Sequence, residues 1–464
     1  MGHQIASSVA ELHELQVVLQ EPTIVRPEKI TDMGNLYLSP LDRQAPFFMY
    51  TLHVYNGKAN SIAAHHVLIQ ALQKVLVLYY PAAGRIMRNE DTGHKEIACS
   101  GEGAMFVEAI VHLELKDLGD LRHVNPELEK RFVYQLRPTS ENPLLVVQIT
   151  SFSCGGFILG LGWRHELFDG FSVAQFLTAW ADLARGTPLS AISPPNHNRR
   201  LLQPQHSSVD TVDFEQIIKK RFFGIPILKE DDLNKNRKNS WESTLNDFSS
   251  SGFLPKYITK MFQISEEMVA SLKQKAMDGE LISTCSAFDV ITAHAWLSRV
   301  KAMEINPSER ILLEFAVNGR PKTIPPLPEN FVGNAFIMAS HNCTAGDILN
   351  SSFQDIVRRV QLAKATITDA YIRTNISTLE GTNTKALPSF RETSIFTDWT
   401  KFPYDLIDFG WGPALFVTPV AMPLLDVIFV IRSGAESSGI TVRLGLRPSY
   451  MDKFEQIFLD FASI

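Results

Sequence analysis

Apolar residues follow two rhythms along this chain, and the switch from one to the other marks its elements. Phe157, Leu159, Leu161, Trp163 and His165 fall on every second position, the period of a strand with one buried face, so a histidine closes an apolar row. From Phe171 to Arg185 the positions Phe171, Val173, Ala174, Phe176, Leu177, Trp180, Leu183 and Ala184 have helical spacing, and Gly186 is a stop signal. A strand, a turn through Asp169 and Gly170, and a helix are expected. His165 stands where the chain turns.

Elsewhere the same reading predicts an opening strand between Glu11 and Val25 and a polar-capped loop from Asn35 to Arg43. It predicts a strand from Phe47 to Tyr55 and a helix from Ser61 to Leu78, closed by Pro81 and Gly84. Short strands follow at Lys95 to Ala98 and Ala104 to Ala109, and Leu144 to Phe152 should pair with the His165 strand across Cys154-Gly155-Gly156. Thr187 to Ser208, rich in Pro, Asn, His and Gln, has linker composition. It divides the chain into expected units 1–190 and 216–464 with a crossover over 191–215. In the second unit, Ser265 caps a helix from Ile264 to Lys275, Ser283 to Met303 is the main helix, and Ile311 to Val317 is a strand. Gln354 to Tyr371 reads as helix, Thr374 to Glu392 as a polar, mobile stretch, Leu415 to Val417 and Val427 to Ile431 as strands, and Tyr450 to Ala462 as the closing helix.

Length and composition narrow the field. A chain of 464 residues exceeds one ordinary core, so two units of about 200 residues are expected. With 45% hydrophobic and 20% charged residues, and no apolar run near the roughly 20 residues that span a bilayer, a folded protein without membrane insertion is expected. The first residues carry neither a signal-peptide apolar region nor an Arg-rich transit pattern, and a cytoplasmic address is the expectation. A net charge of -6, with no basic run longer than Lys219-Lys220-Arg221, argues against nucleic acid as a partner. Cys99, Cys154, Cys285 and Cys343 lack metal-ligand spacing and read as reduced thiols, so no metal is expected.

His-x-x-x-Asp occurs twice, at His165 to Asp169 and at His206 to Asp210, so spacing alone does not choose between them. His206 lies in the polar linker and reads as a solvated loop residue. His165, at a strand end among glycines, reads either as a hydrogen-bonded core histidine or as a general base. Asp169 either orients the imidazole or pins the turn through a salt bridge to an arginine elsewhere. No Gly-x-Ser-x-Gly nucleophile accompanies the pair, which favours direct transfer over an acyl-enzyme. Asp408-Phe409-Gly410-Trp411-Gly412 reads as a tight aromatic turn in which the glycines let Trp411 be held rigidly.

His165-Glu166-Leu167-Phe168-Asp169-Gly170 followed far downstream by Asp408-Phe409-Gly410-Trp411-Gly412 resembles the plant BAHD family of acyl-CoA-dependent acyltransferases. The likeness extends to Leu38-Ser39-Pro40-Leu41-Asp42, Tyr80-Pro81-Ala82-Ala83-Gly84-Arg85, Asn318-Gly319-Arg320, Pro325-Pro326-Leu327-Pro328, Val332-Gly333-Asn334 and Thr397-Asp398-Trp399. It implies an α/β fold of two similar chloramphenicol-acetyltransferase-like domains, each a mixed sheet with flanking helices, and a channel between them. A segment near 390–412 is expected to pack into the first domain. It implies no permanent cofactor, acyl-CoA as co-substrate, a monomer, and transfer of an aromatic, hydroxycinnamoyl or acetyl group to a hydroxyl of a plant specialised metabolite. An amine acceptor and a non-catalytic accessory role are the alternatives. His165 would be the base, Asp169 with Gly170 and Arg320 would hold its loop, and Asp408, Gly410 and Gly412 would be structural. Thr397 and Trp411 are candidates for the oxyanion or acceptor side. Arg164, Glu166 and Val332 depart from the family pattern.

Overall fold

The computed structural model describes residues 15–31, 33–57, 61–120, 125–136, 139–204, 225, 227–228, 257–381, 387–388, 391–420, 427–434 and 439–461. His206, Asp210 and the end of the crossover lie outside these. Two mixed sheets dominate. The first runs, in spatial order, through Val18–Leu19, Ala104–Val111, Leu145–Phe152, Phe157–Arg164, Phe48–Tyr55 and Phe416–Pro419, with Thr23–Val25 also on Ala104–Val111. The second runs through Ile258–Ile264, Ile440–Leu446, Val427–Arg432, Thr393–Asp398, Arg310–Asn318 and Phe336–Thr344.

The strand Phe157–Arg164 is buried at every position because both its faces are covered. Phe157, Leu159, Leu161 and Trp163 join the core under the helices Ser61–Leu78 and Gly170–Ala184, whereas Ile158 joins a smaller cluster on the opposite face. Each strand of the second sheet that carries the main core sends alternate residues into it: Ile337 and Ala339, Phe315 and Val317, Phe396, Ile428 and Val430. They pack on Ala287–Ala302, a helix that begins later than its apolar pattern because Ser286 and Asp289 form a capping box.

Several elements differ from the sequence reading for identifiable reasons. The opening strand is two short ones, Val18–Leu19 and Thr23–Val25, each on Ala104–Val111. The loop at 35–43 contains the strand Asn35–Tyr37 and one helical turn, Pro40–Arg43, closed by a Ser39–Asp42 capping box. The helix read as Gln354 to Tyr371 breaks after Ala365, and a new helix, Asp369–Gly381, occupies part of the polar stretch, docked through buried Ile372 and Ile376. Thr393–Asp398 stays within the second sheet. The segment that returns to the first core therefore begins at Trp399 and continues through Phe402, Tyr404, Ile407, Phe409 and Ala414 to Val417, later than 390–412. Its strand, Phe416–Pro419, is antiparallel to Phe48–Tyr55. Buried Arg443 of the second sheet meets Glu129 of the first unit in a two-pronged pair at 2.8 and 2.7 Å and also donates to Thr418 at 2.7 Å.

Candidate active site

His165 follows the strand directly. Its backbone N–H donates to the Phe47 carbonyl at 2.8 Å, which holds the ring at the strand end. Asp169 caps the next helix by accepting from the Ser172 N–H at 2.9 Å, and the Trp163 indole donates to the Phe168 carbonyl at 3.0 Å. Gly170 is required by contact: a Cβ there would lie 2.3 Å from the Phe402 ring of the returning segment. The Tyr404 hydroxyl donates to the Gly170 carbonyl at 3.0 Å.

The carboxylate of Asp169 is engaged by partners other than the imidazole. Arg320 donates to both its oxygens, at 2.7 and 2.9 Å, and the Ala335 N–H donates at 3.1 Å. Burial acts to raise the Asp169 pKa, but the Arg320 charge and these hydrogen bonds carry it below the usual value. Arg320 also donates to the Ser172 hydroxyl and the Gly333 carbonyl, at 3.0 and 2.9 Å. Of the two jobs open to Asp169, the contacts are those of the brace.

The imidazole has a different partner. His165 Nδ1 lies 3.0 Å from Asn334 Oδ1. The Asn334 amide nitrogen donates to Asp42 Oδ1 at 3.0 Å and to the His165 carbonyl at 2.7 Å, so the opposite end of that amide is an acceptor. Nδ1 therefore carries the proton and Nε2 holds a lone pair. Burial lowers the His165 pKa, opposed by the Asp169 charge and the Asn334 hydrogen bond, so the ring is neutral at pH 7.

Asp42 is the hub behind Asn334. It accepts from the Asn334 backbone N–H at 2.8 Å, from the Ser39 N–H and hydroxyl at 2.8 and 2.7 Å, and pairs with Arg199 at 2.9 Å. Arg199, from the crossover, donates to the carbonyls of Glu166 and Leu167 at 2.8 and 2.6 Å. The crossover is thus part of the scaffold. Asp42 and Asn334 stood within family-like motifs without a role, and Arg199 carried no sequence signal. The departures Arg164 and Glu166 answer each other: their buried side chains pair at 2.6 Å, with Lys95 3.2 Å from Glu166.

The rings of Phe47 and Phe336 flank His165 at 5.1 and 5.6 Å. Phe336 begins the part of the second sheet's other face that the first core leaves uncovered. There Ala316, Phe336, Met338, Ile395 and Thr397 are half-buried, whereas Phe315, Val317, Ile337, Ala339 and Phe396, of opposite parity, are buried. Thr397 lies two strands from Phe336, roughly 10 Å across the sheet.

Trp411 is elsewhere, which corrects its assignment to the acceptor side. Its ring packs on Phe157 at 5.5 Å, and Phe157 opens the strand whose far end precedes His165, about 26 Å along the chain. Asp408 Oδ1 accepts from the N–H groups of Gly410 and Gly412 at 2.6 and 2.9 Å, both glycines having positive φ, and Arg185 donates to the Asp408 carbonyl. Phe409 packs against Trp180 and Tyr55. The turn closes the first core.

Two mixed sheets joined by a crossover, with a histidine at their junction, make an architecture that has solved counterparts. Its fold matches that of vinorine synthase (TM-score 0.72, 20% identity, 94% of this chain and 96% of the other). It also matches F. graminearum TRI101 complexed with ethyl coenzyme A (TM-score 0.68, 15% identity, 91% and 97%). Residues 15–460 match the model of the Transferase family. Two Arabidopsis thaliana relatives are the omega-hydroxypalmitate O-feruloyl transferase, 32% identical over 96% of this chain and 93% of the relative, and the fatty alcohol:caffeoyl-CoA acyltransferase, 33% identical over 97% and 99%. The chain belongs to this Transferase family, that of the plant BAHD acyltransferases, and is an acyltransferase. Among the described residues no helix is long and apolar enough to cross a membrane, and no group of three His, Cys, Asp or Glu side chains is placed to hold a metal.

Proposed function

We propose that the chain moves an acyl group directly from an acyl-CoA to an acceptor hydroxyl, with His165 as general base. The observation that carries this reading is the Asn334 contact, which keeps the proton on Nδ1 and leaves Nε2 to act. Nε2 takes the hydroxyl proton as the oxygen attacks the thioester carbonyl. The new C–O bond forms, the tetrahedral intermediate expels the CoA sulfur, and the proton passes from Nε2 to that sulfur. The Thr397 hydroxyl, half-buried on the uncovered sheet face, is the proposed oxyanion donor. Asp169 and Arg320 hold the loop, and Asp408, Gly410 and Gly412 keep the first core closed.

Relatives named for feruloyl and caffeoyl transfer support a hydroxycinnamoyl donor. The proposed protein is a cytoplasmic monomer whose units span 1–190 and 216–464. His165→Ala should lower turnover at least about 10²-fold, read as free CoA thiol, with an unchanged melting temperature. Near-normal turnover in that variant would remove His165 as the base. An absence of CoA release from the unmodified protein with every acceptor would favour the accessory role.

A further inference from the structure

We propose that Asp42 is the carboxylate that positions the His165 imidazole, acting through the Asn334 amide, and that Arg199 of the crossover sets how strongly it acts. This rests on the reading of His165 as the base. It gives Asp42 the orienting job that Asp169 does not do.

The side chains of Asp42 and Arg199 are both fully buried. Every contact of the Asp42 carboxylate is with a donor: Ser39 through its N–H and hydroxyl, Asn334 through its N–H and amide nitrogen, and Arg199. An acceptor-only group is what such a site fits. Because two of these donors belong to Asn334, Asp42 fixes both the place of that residue and the way its amide is turned. A primary amide has a donor end and an acceptor end. Here the donor end is held between Asp42 and the His165 carbonyl, so only the acceptor is left for Nδ1. A negative charge behind the donor end polarises the amide and strengthens that acceptor. Asp42 thus does across one amide what a triad carboxylate does by direct contact.

The charges around the ring are paired. Asp169 is matched by Arg320, Asp42 by Arg199, and Glu166 by Arg164 and Lys95. Beyond Asp42, Arg43 pairs with Glu380 and Arg200 lies over the Tyr37 ring. The rings flanking the imidazole, Phe47 and Phe336, carry no charge. Burial lowers the His165 pKa, while Asp169, the Asn334 bond and Asp42 act to raise it. Of the two carboxylates, Asp42 is the one joined to the ring by a hydrogen-bonded side chain. Its cation is anchored in the same turn as His165, since Arg199 also donates to the Glu166 and Leu167 carbonyls.

The test combines the acid limb of kcat/KM, read as thiol release, with titration of the His165 imidazole in whole protein carrying isotope-labelled histidine. His165→Gln identifies the signal. Asp42→Asn removes a charge that raises the pKa, so limb and signal should both move to lower pH by about one pH unit, with kcat about tenfold down. Arg199→Met strips Asp42 of its cation, so both should move to higher pH. Damage to the loop alone would not shift the two variants in opposite directions. The paired variant, Asp42→Asn with Arg199→Met, loses the buried ion pair as a unit, which folds tolerate better than a lone charge, and should titrate below the parent. Shifts of the same sign, no shift in either single variant, or a paired variant that titrates with the parent would overturn the proposal, the last even if the single variants do not fold. A signal that moves as expected under an unmoved activity limb would remove His165 as the base and leave the positioning intact. A limb set by His165 that neither variant moves would do the reverse.

Discussion

The turn after His165 and the turn from Asp408 to Gly412 each combine an aspartate with glycine, yet they are held in opposite ways. At the first, Asp169 is tied to Arg320 and Ala335, the His165 carbonyl and ring to Asn334, and Glu166 and Leu167 to Arg199, so many of its fixings come from outside the first sheet. At the second, Asp408 binds its own Gly410 and Gly412, and Phe409 and Trp411 sink into the first core. One turn joins two halves around an imidazole, and the other seals one half far from it. Similar turn chemistry does not imply proximity to the reaction.

The sharpest way to break this contrast is at Arg320. Arg320→Met leaves Asp169 buried beside no cation and should cost about 3–5 kcal/mol in chemical unfolding, part of it regained on adding Asp169→Asn. If the single variant were as stable as the parent, the first turn would not depend on its partner half. Trp411→Ala should cost about 2 kcal/mol, since a half-buried indole is removed, while kcat of the folded fraction stays unchanged. A large loss of kcat at full stability would return that ring to the chemistry.

The smallest expected effect is also the most diagnostic. Asn334→Ala frees the imidazole to adopt the other tautomer and should lower kcat about tenfold, near the value of one hydrogen bond. The proposed mechanism needs neutral His165, so activity should be lost as pH falls through its pKa. Burial holds that pKa below 6.5 while the Asn334 bond partly raises it. Removing the bond must therefore move the acid limb of the kcat/KM profile to lower pH. A ten-fold loss with an unmoved limb would make Asn334 a structural residue only.

The His165 strand and the helix after it were legible because their periods are strong and local, and Asp169 caps that helix just where the apolar spacing changes. The scaffold behind the ring was not. Asn334 reaches Asp42 across 292 positions and His165 across 169, and no local pattern registers a pairing at that distance. Arg199 was hidden by its surroundings, since a polar crossover gives no sign that one of its arginines is buried at 1% exposure. The helix Asp369–Gly381 escaped because its buried Ile372 and Ile376 are too few to mark a face in a polar stretch. Trp411 was misassigned because a rigid turn says how firmly a side chain is held and nothing about where it points.

The strand Phe416–Pro419 limits how this polypeptide can be divided. A fragment cut in the crossover would take Phe48–Tyr55 without the neighbour that pairs with Thr51 to Val54, leaving that sheet edge open to other copies. Each half would be sticky by itself, so the chain is best regarded as two lobes stitched by a late returning thread. Truncations meant to isolate the His165 lobe would need to carry residues 399–420 with them.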